Sequence, residues 1–223
     1  QQMNKTLESI GQPLFKRWLV DFEFPNEKEK PYKSSGGEMV DSELGEIPRG
    51  WKIGKLGDLD LIVSDFVANG SFASLKENVK IYEEENYALF VRNTDLKNNF
   101  KQKRYIDEHA YNFLQKTKLF GGEIIISNVG DVGSVFLCPF LNKPMSLGNN
   151  IIMIRSKNLN PFLYEFFQSN LGNNLIRSIT TGSVQSKFNK TDFRNLRILI
   201  PEEKLLNKYI TIANLIHEGI SKN

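Results

Sequence analysis

The chain has 223 residues, of which 40% are hydrophobic and 25% charged, a composition typical of one globular domain with appendages and not of a disordered or fibrous chain. No apolar run approaches the roughly 20 residues that a membrane span requires, and no secretory signal is visible. The single cysteine, Cys138 in "VFLCPF", predicts a buried, inert thiol and excludes a disulfide framework. We therefore expect a cytoplasmic protein.

The net charge of +3 is unevenly distributed along the chain. Residues 1–91 carry 11 Lys and Arg against 16 Asp and Glu, whereas residues 92–201 carry 15 against 7. A basic central and later region is typical of a face that binds nucleic acid. A solvated surface of mixed charge is the alternative.

The first predicted element is an amphipathic helix within residues 1–22. Its apolar stripe follows helical spacing and consists of Met3, Leu7, Ile10, Leu14 and Trp18. Pro13 removes the hydrogen bond to the carbonyl of Ser9 and predicts a kink or break. Residues 23–48 lose all periodicity and gather prolines, glycines and charges, which predicts a surface linker.

Residues 49–201 are predicted to form a mixed α/β domain. Short runs rich in β-branched and aromatic residues predict strands at "YALFVR", "GGEIIIS", "GSVFLCPF", "NNIIMIR" and "LRILIP". Helices are predicted between them at "DEHAYNFLQ" and at "PFLYEFFQSN", because the proline that begins the second segment is tolerated in a first helical turn.

A second amphipathic helix is predicted over residues 202–223. Its stripe has spacings of three, four, three and four and consists of Leu206, Tyr209, Ala213, Ile216 and Ile220. The two terminal helices are predicted to pack against each other or against helices of a partner, with simple capping of the core as the alternative. If the end of the chain is notionally joined to its start, the stripe continues in phase, which suggests a repeated architecture.

Catalytic motifs are weak in this sequence. The nearest approach to a phosphate-binding loop, "GSVQSK", lacks the second glycine. "DLK" at residues 95–97 and "EEK" at residues 202–204 match a nuclease pattern by letter only, so a metal-dependent nuclease using Asp95 or Glu202 is an alternative. His109 and His217 have no Cys or carboxylate at ligand spacing. We therefore expect a protein without catalytic residues or metal ligands.

Polar, glycine-bearing loops are the strongest functional signal. Loop 1, residues 93–106, interleaves Lys and Arg with Asn, Gln and aromatic residues. Loop 2, residues 127–133, and loop 3, residues 180–190, combine glycines with Ser, Thr, Asn and Gln. Lys and Arg neutralise phosphates, Asn and Gln hydrogen-bond base edges, and glycines permit close approach. Solvated hairpin tips and ordinary tight turns are the alternative.

The sequence also resembles a known family. "MNKTLESIGQPLFKRWLVDFEFP" and "GEMVDSELGEIPRGWKIGKLGDL" resemble the central conserved region and second-domain entry of the specificity subunit of type I restriction-modification enzymes. Four later segments resemble, in the same order, the later landmarks of the target recognition domain of that family: "GGEIIISNVGDVGSVFL", "NNIIMIR", "PFLYEFF" and "TTGSVQSKFNKTDFRNLRILIPEEKLLNKY". The likeness spans essentially the whole chain. Pro13 departs from it, since the family more often has a helix former there.

The resemblance implies a non-catalytic subunit that reads double-stranded DNA. Two recognition domains are held apart in this family by antiparallel helices that form a coiled-coil spacer, and these helices dock methyltransferase subunits. S-adenosylmethionine, ATP and Mg are implied for the partner methyltransferase and restriction subunits, and no cofactor for this chain. The chain resembles one half of such a subunit, either a C-terminal half or a half-length subunit that homodimerises through its terminal helices, which we favour. A scaffold that never touches DNA is the alternative.

Charge, loop position and this likeness together select the candidate residues. The predicted DNA contacts are Lys97, Asn98, Asn99, Lys101, Lys103 and Arg104 in loop 1, Asn128 in loop 2, and Ser183, Gln185 and Lys187 in loop 3. The predicted packing residues for partner helices are Leu7, Ile10, Leu14 and Trp18 in the first helix, and Leu206, Tyr209, Ala213, Ile216 and Ile220 in the last.

Overall fold

A computed structural model describes the backbone of residues 10–221 and the side chains of residues 10–216. In this part of the chain the strands are β1 (Met39–Val40), β2 (Ile47–Pro48), β3 (Lys52–Lys55), β4 (Ile62–Asp65), β5 (Ile81–Tyr82), β6 (Ala88–Val91), β7 (Tyr105–Ile106), β8 (Lys118–Leu119), β9 (Ile124–Ser127), β10 (Val135–Leu137), β11 (Met145–Leu147), β12 (Ile151–Arg155) and β13 (Arg197–Ile200).

The same part of the chain contains the helices. They are α1 (residues 10–15, continued by a π-helical turn at Lys16–Val20), α2 (Phe72–Asn78), α3 (Asn93–Lys97), α4 (Glu108–Phe113), α5 (Asn160–Gln168), α6 (Asn170–Ser178), α7 (Lys190–Arg194) and α8 (Glu203–Ser221). Short 3-10 turns lie at Lys33–Ser35, Leu56–Asp58, Phe66–Asn69 and Gln115–Thr117. None of the described helices has the length and apolar character needed to cross a membrane.

Two larger sheets organise the domain. The first has the antiparallel order β10-β9-β12-β4, and the second has the order β5-β7-β6-β11-β8, in which β6 and β11 pair in parallel. Smaller ladders join β1 to β2 and β13 to β3. The mixed α/β architecture predicted from the sequence is confirmed, as are the strands predicted at the apolar runs.

Strands β9 and β12 are buried on both faces, which explains their unbroken apolar sequences. Ile124 and Ile152 pack into the core that also contains the aromatic residues of α5, whereas Ile125 and Met153 pack into a second cluster on the opposite face. Successive side chains of a strand point to opposite faces. The first sheet is therefore the layer that separates two apolar cores and gives the loops at its ends a rigid base.

The terminal helices pack against each other and against α5. The ring of Tyr209 in α8 lies 6.1 Å from that of Phe15 and 6.2 Å from that of Trp18 in α1, measured between centroids. Phe15 also contacts Phe162 and Phe166 of α5, at 6.2 and 6.3 Å. The two helices do contact each other, but within the main core, which also fits the alternative that they cap the core. The coiled-coil spacer stays a prediction.

This packing changes the interpretation of the residues proposed to face partner helices. Those already buried within the chain are Trp18, Leu206, Tyr209, Ala213 and Ile216. Leu14 is half-buried against the main core, whereas Ile10 is exposed and remains open to a partner. Leu7 and the side chain of Ile220 lie outside the described residues.

Two expectations for the first fifty residues need correction. The predicted break at Pro13 is absent, because residues 10–15 stay helical and pass into the π-helical turn, whereas the alternative, a kink, stays a prediction. Residues 23–48 are not a plain surface linker, because β1 pairs with β2 and the buried ring of Phe24 stacks on Tyr32 at 4.5 Å and on Trp51 at 5.7 Å. Apolar side chains without periodicity gave no sequence signal for this packing. The domain boundaries themselves stay predictions.

Cys138 is buried, as predicted. Burial and, after it, the nearby Glu123 carboxylate raise the pKa of its thiol above the usual range. Since the thiolate is the reactive form, we expect no reaction with a disulfide reagent at pH 8 in the native protein and one thiol per chain in denaturant. Labelling of the native protein at the rate of a free cysteine would contradict this packing.

Candidate functional site

Loop 2 lies at the centre of a cluster that the three predicted loops form together. On one side the backbone N–H of Gly130 donates to the carbonyl of Ser186 in loop 3, at 2.9 Å, and Val129 forms a β-bridge with Lys187. On the other side Asp131 forms an ion pair with Lys97 of loop 1. Segments far apart in sequence therefore form one surface.

The sheets position this cluster. Loop 2 connects β9 to β10, and its Asn128 N–H donates to the carbonyl of Asn150, just before β12, at 3.1 Å. The Asn93 side-chain amide at the start of loop 1 donates to Ser127 Oγ, at the end of β9, at 3.3 Å. Binding residues commonly lie on loops held by such a rigid scaffold.

Loop 3 is a tight hairpin with an exposed apex. Thr181 and Lys187 exchange two backbone hydrogen bonds of 2.8 Å, and Gly182 has a φ of +99°. A Cβ atom at Gly182 would collide with the carbonyl oxygen of Gln185, so the turn requires glycine. The predicted contacts Ser183, Gln185 and Lys187 are all exposed.

Buried aromatic packing anchors the hairpin behind its apex. Phe188 is buried and stacks on Phe193 of α7 at 5.4 Å between ring centroids. The Phe188 N–H donates to the carbonyl of Asn128 at 3.1 Å, and the Asn128 side-chain amide donates back to the carbonyl of Phe188 at 3.3 Å. Asn128, proposed as a DNA contact, is thus half-buried and holds loop 3 in place.

Loop 1 has two parts with different surroundings. Lys97 ends α3 and pairs with Asp131, where the Lys97 ammonium, followed by the Ser134 hydroxyl, holds the pKa of that carboxyl below its usual range. A phosphate must compete with Asp131 for this lysine. Asn98 and Asn99 follow α3 and are exposed.

The second part of loop 1 carries Lys101 and Lys103, both exposed. Arg104 is half-buried and forms an ion pair of 2.5 Å with the exposed carboxylate of Glu83. Glu85 lies nearby, where Lys143 and, more weakly, Lys103 lower the pKa of its carboxyl. The acidic residues reduce the local positive charge, so Arg104 is the least available of the predicted basic contacts.

The geometry does not favour the nuclease alternative. Asp95 is buried. The backbone N–H and the guanidinium of Arg92 together donate three hydrogen bonds of 2.7 to 2.9 Å to its carboxylate. Arg92 also donates to the carbonyl of Gln102 at 2.8 Å, so the pair braces loop 1. Glu202 is exposed just before α8, and no group of three His, Cys, Asp or Glu among the described side chains is arranged to hold a metal ion.

Some residues of the cluster were missed by sequence reasoning. Asp131 and Asn93 join loop 1 to loop 2, and Lys190 of α7 pairs with Asp65 at the end of β4 at 2.9 Å. Val184 stands fully exposed at the apex of loop 3. An isolated valine or aspartate in a loop has no distinctive pattern, so only the spatial arrangement reveals these positions.

The fold and the loop cluster define a mixed α/β domain in which a sheet presents polar and basic loops. The family model described as type I restriction modification DNA specificity domain matches residues 48–212. The chain belongs to this family.

Individual proteins show the same likeness. The chain is 28% identical over 232 residues to the type I restriction enzyme MjaIX specificity subunit of Methanocaldococcus jannaschii, covering 100% of this chain and 49% of that protein. It therefore spans about half the length of this curated relative.

Two solved structures share the fold. One is the HsdS subunit from Thermoanaerobacter tengcongensis, with a TM-score of 0.51 and 15% identity. The other is a chain from a study of complex assembly and conformational transition of the type I R-M system, with a TM-score of 0.54 and 16% identity. Each likeness covers 99% of this chain and 46% of the solved chain.

Proposed function

We propose that this chain is a non-catalytic, sequence-specific DNA-recognition subunit, or part of one, in a type I restriction-modification complex. The observation that carries the proposal is the meeting of loops 1, 2 and 3 on one surface, joined by the contacts of Asp131 and Gly130. Membership of the DNA specificity domain family supports it. Lysines would neutralise phosphates, while Ser183 and Gln185 would hydrogen-bond base edges.

The proposed partners are double-stranded DNA, methyltransferase subunits and a restriction subunit, acting in the cytoplasm. The chain would direct the S-adenosylmethionine-dependent methyltransferase to its target and would need no cofactor of its own. The name of the M. jannaschii relative, a type I restriction enzyme specificity subunit, supports this assignment.

We further propose that the terminal helices act as a spacer that docks partner subunits. The 19 residues of α8 correspond to about 28.5 Å at about 1.5 Å per residue, comparable to but shorter than one turn of DNA of about 34–36 Å. Ile10 and Leu215 are exposed on the two helices and are available for a second copy. Light scattering would give a dimer mass for a homodimer, and a monomer at high micromolar concentration would exclude it.

The DNA proposal is tested by the salt dependence of duplex binding. Replacing Lys101 and Lys103 together by alanine should weaken binding to all duplexes and reduce the slope of log K against log salt by about one per lysine. The matched control replaces Lys28 and Lys30, which are exposed at the same spacing, and should leave the slope unchanged. Fluorescence anisotropy of labelled duplexes from 50 to 200 mM salt measures both.

Two outcomes would count against this account. An unchanged slope in the Lys101 and Lys103 variant would remove that part of loop 1 from the interface. Absence of duplex binding by the wild-type chain at low salt would favour the scaffold alternative. Gln185→Ala, by contrast, should alter base preference and leave the salt slope unchanged, because the amide carries no charge.

A further inference from the structure

The apex of loop 3 presents an apolar side chain directly to solvent. Val184 has a relative exposure of 101%, the highest among the large hydrophobic residues described. Single exposed apolar side chains are common on protein surfaces. Val184 differs because it lies between the polar residues Ser183 and Gln185 at the apex of a hairpin that belongs to the loop cluster.

The hairpin holds this side chain outward. Thr181 and Lys187 close the turn with paired hydrogen bonds of 2.8 Å, and Ser186 is bonded to loop 2 through Gly130 at 2.9 Å. Phe188, the residue that follows Lys187, is buried in the core and stacks on Phe193. A prearranged apex loses little conformational entropy when it binds, so its contacts contribute more fully to affinity.

The chemistry of the apex matches one kind of base pair. Glutamine pairs bidentately with adenine in the major groove, and apolar side chains contact the methyl group of thymine. Valine is not among the side chains that commonly wedge between base steps, which are Phe, Leu, Ile, Met and Pro. Resting on the proposed function, we propose that this apex reads an A·T base pair in the major groove, with Val184 against the thymine methyl group and Gln185 toward adenine.

The test removes the methyl group from the DNA. Duplexes that bind the full chain are selected from a random pool, and each thymine of the selected sequence is replaced in turn by deoxyuridine. At one position we expect the deoxyuridine duplex to bind about fourfold more weakly than the thymine duplex, which is the usual effect of losing one buried methyl-sized group. Val184→Ala should bind the thymine duplex more weakly and no longer distinguish the two bases there.

A matched control separates this contact from a general loss of apolar surface. Leu44 is exposed in another turn, closed by hydrogen bonds between Ser42 and Gly45, and Leu44→Ala should retain the preference for thymine. Since both side chains are exposed, neither change should affect folding.

The outcomes distinguish this inference from the proposed function. If duplexes are selected but no position is sensitive to deoxyuridine, or if Val184→Ala keeps the full preference, the inference fails and DNA binding stands. If Val184→Ala binds more weakly but the wild-type chain does not distinguish thymine from deoxyuridine, Val184 inserts between base steps instead of contacting a methyl group. That result would also overturn the inference. If the wild-type chain retains no duplex, both fail together.

Discussion

Phe15→Ala is expected to lower the free energy of unfolding by about 3–5 kcal/mol, the usual cost of removing a buried phenylalanine ring. Phe15 is 1% exposed and is the residue of α1 through which both Phe166 of α5 and Tyr209 of α8 make ring contacts. Its loss leaves a cavity where the terminal helices meet. Urea unfolding followed by tryptophan fluorescence measures the change, since Trp18 and Trp51 are buried in the same core.

Phe72→Ala is the matched control for this prediction. Phe72 begins α2 and is 83% exposed, so the same substitution should change stability by no more than about 0.5 kcal/mol. Equal effects of the two substitutions would mean that α1 does not belong to the core in solution.

Gly182→Val should weaken duplex binding by about tenfold or more while leaving the fold intact. The φ of +99° at Gly182 is unfavourable for valine, and the added side chain would collide with Gln185. Strain of this kind costs on the order of 1–3 kcal/mol, and 1.4 kcal/mol corresponds to tenfold in affinity. The hairpin would open and displace Ser183 and Lys187. Anisotropy titration and circular dichroism measure binding and folding.

Gly45→Val provides the control for backbone strain alone. Gly45 has a similar φ of +97°, but nothing lies within 4 Å of a Cβ atom built there, and it belongs to the turn that begins at Ser42. Binding by this variant should match that of the wild type. Wild-type affinity of Gly182→Val would show that the closed hairpin is not needed for recognition.

The strands that could be predicted from the sequence are those built on runs of apolar residues. Strands β9 and β12 are covered on both faces, so three successive isoleucines in β9 and the first four residues of β12 are buried and form apolar runs in the sequence. The two-residue strands β5, β7 and β8 are too short for periodicity to appear. Their pairing depends on neighbours that are distant in sequence.

Helix α6 was not predicted because its sequence contains Gly172 and several asparagines, which are poor helix formers. It forms since the Ser169 hydroxyl accepts a hydrogen bond from the Gly172 N–H, at 3.3 Å, which satisfies an otherwise unpaired donor at the helix start. Glycine is required there, because a Cβ atom would collide with the carbonyl of Phe166 in α5. The apolar residues Leu171, Leu175 and Ile176 do lie at helical spacing, but the glycine and asparagines between them concealed this short pattern.

For the candidate site, the sequence identified the three loops but not how they are joined. Their glycines, lysines and amides are visible as composition, whereas the Lys97 to Asp131 ion pair and the bridge between Val129 and Lys187 depend on tertiary structure. The ion pair between Arg104 and Glu83 could not be predicted either, because Glu83 follows β5 whereas Arg104 precedes β7, and the two meet only through the pairing of these strands. Their roles as DNA contacts stay predictions.

The most direct test of DNA recognition is adenine methylation mapping on plasmid DNA after co-expression with a methyltransferase subunit, with this chain present, omitted or replaced by the Gly182→Val variant. The account predicts methylation at one split motif only when the wild-type chain is present, and reduced methylation with the variant. Methylation that does not depend on this chain, or a stable complex that leaves the plasmid unmethylated, would contradict its role in recognition.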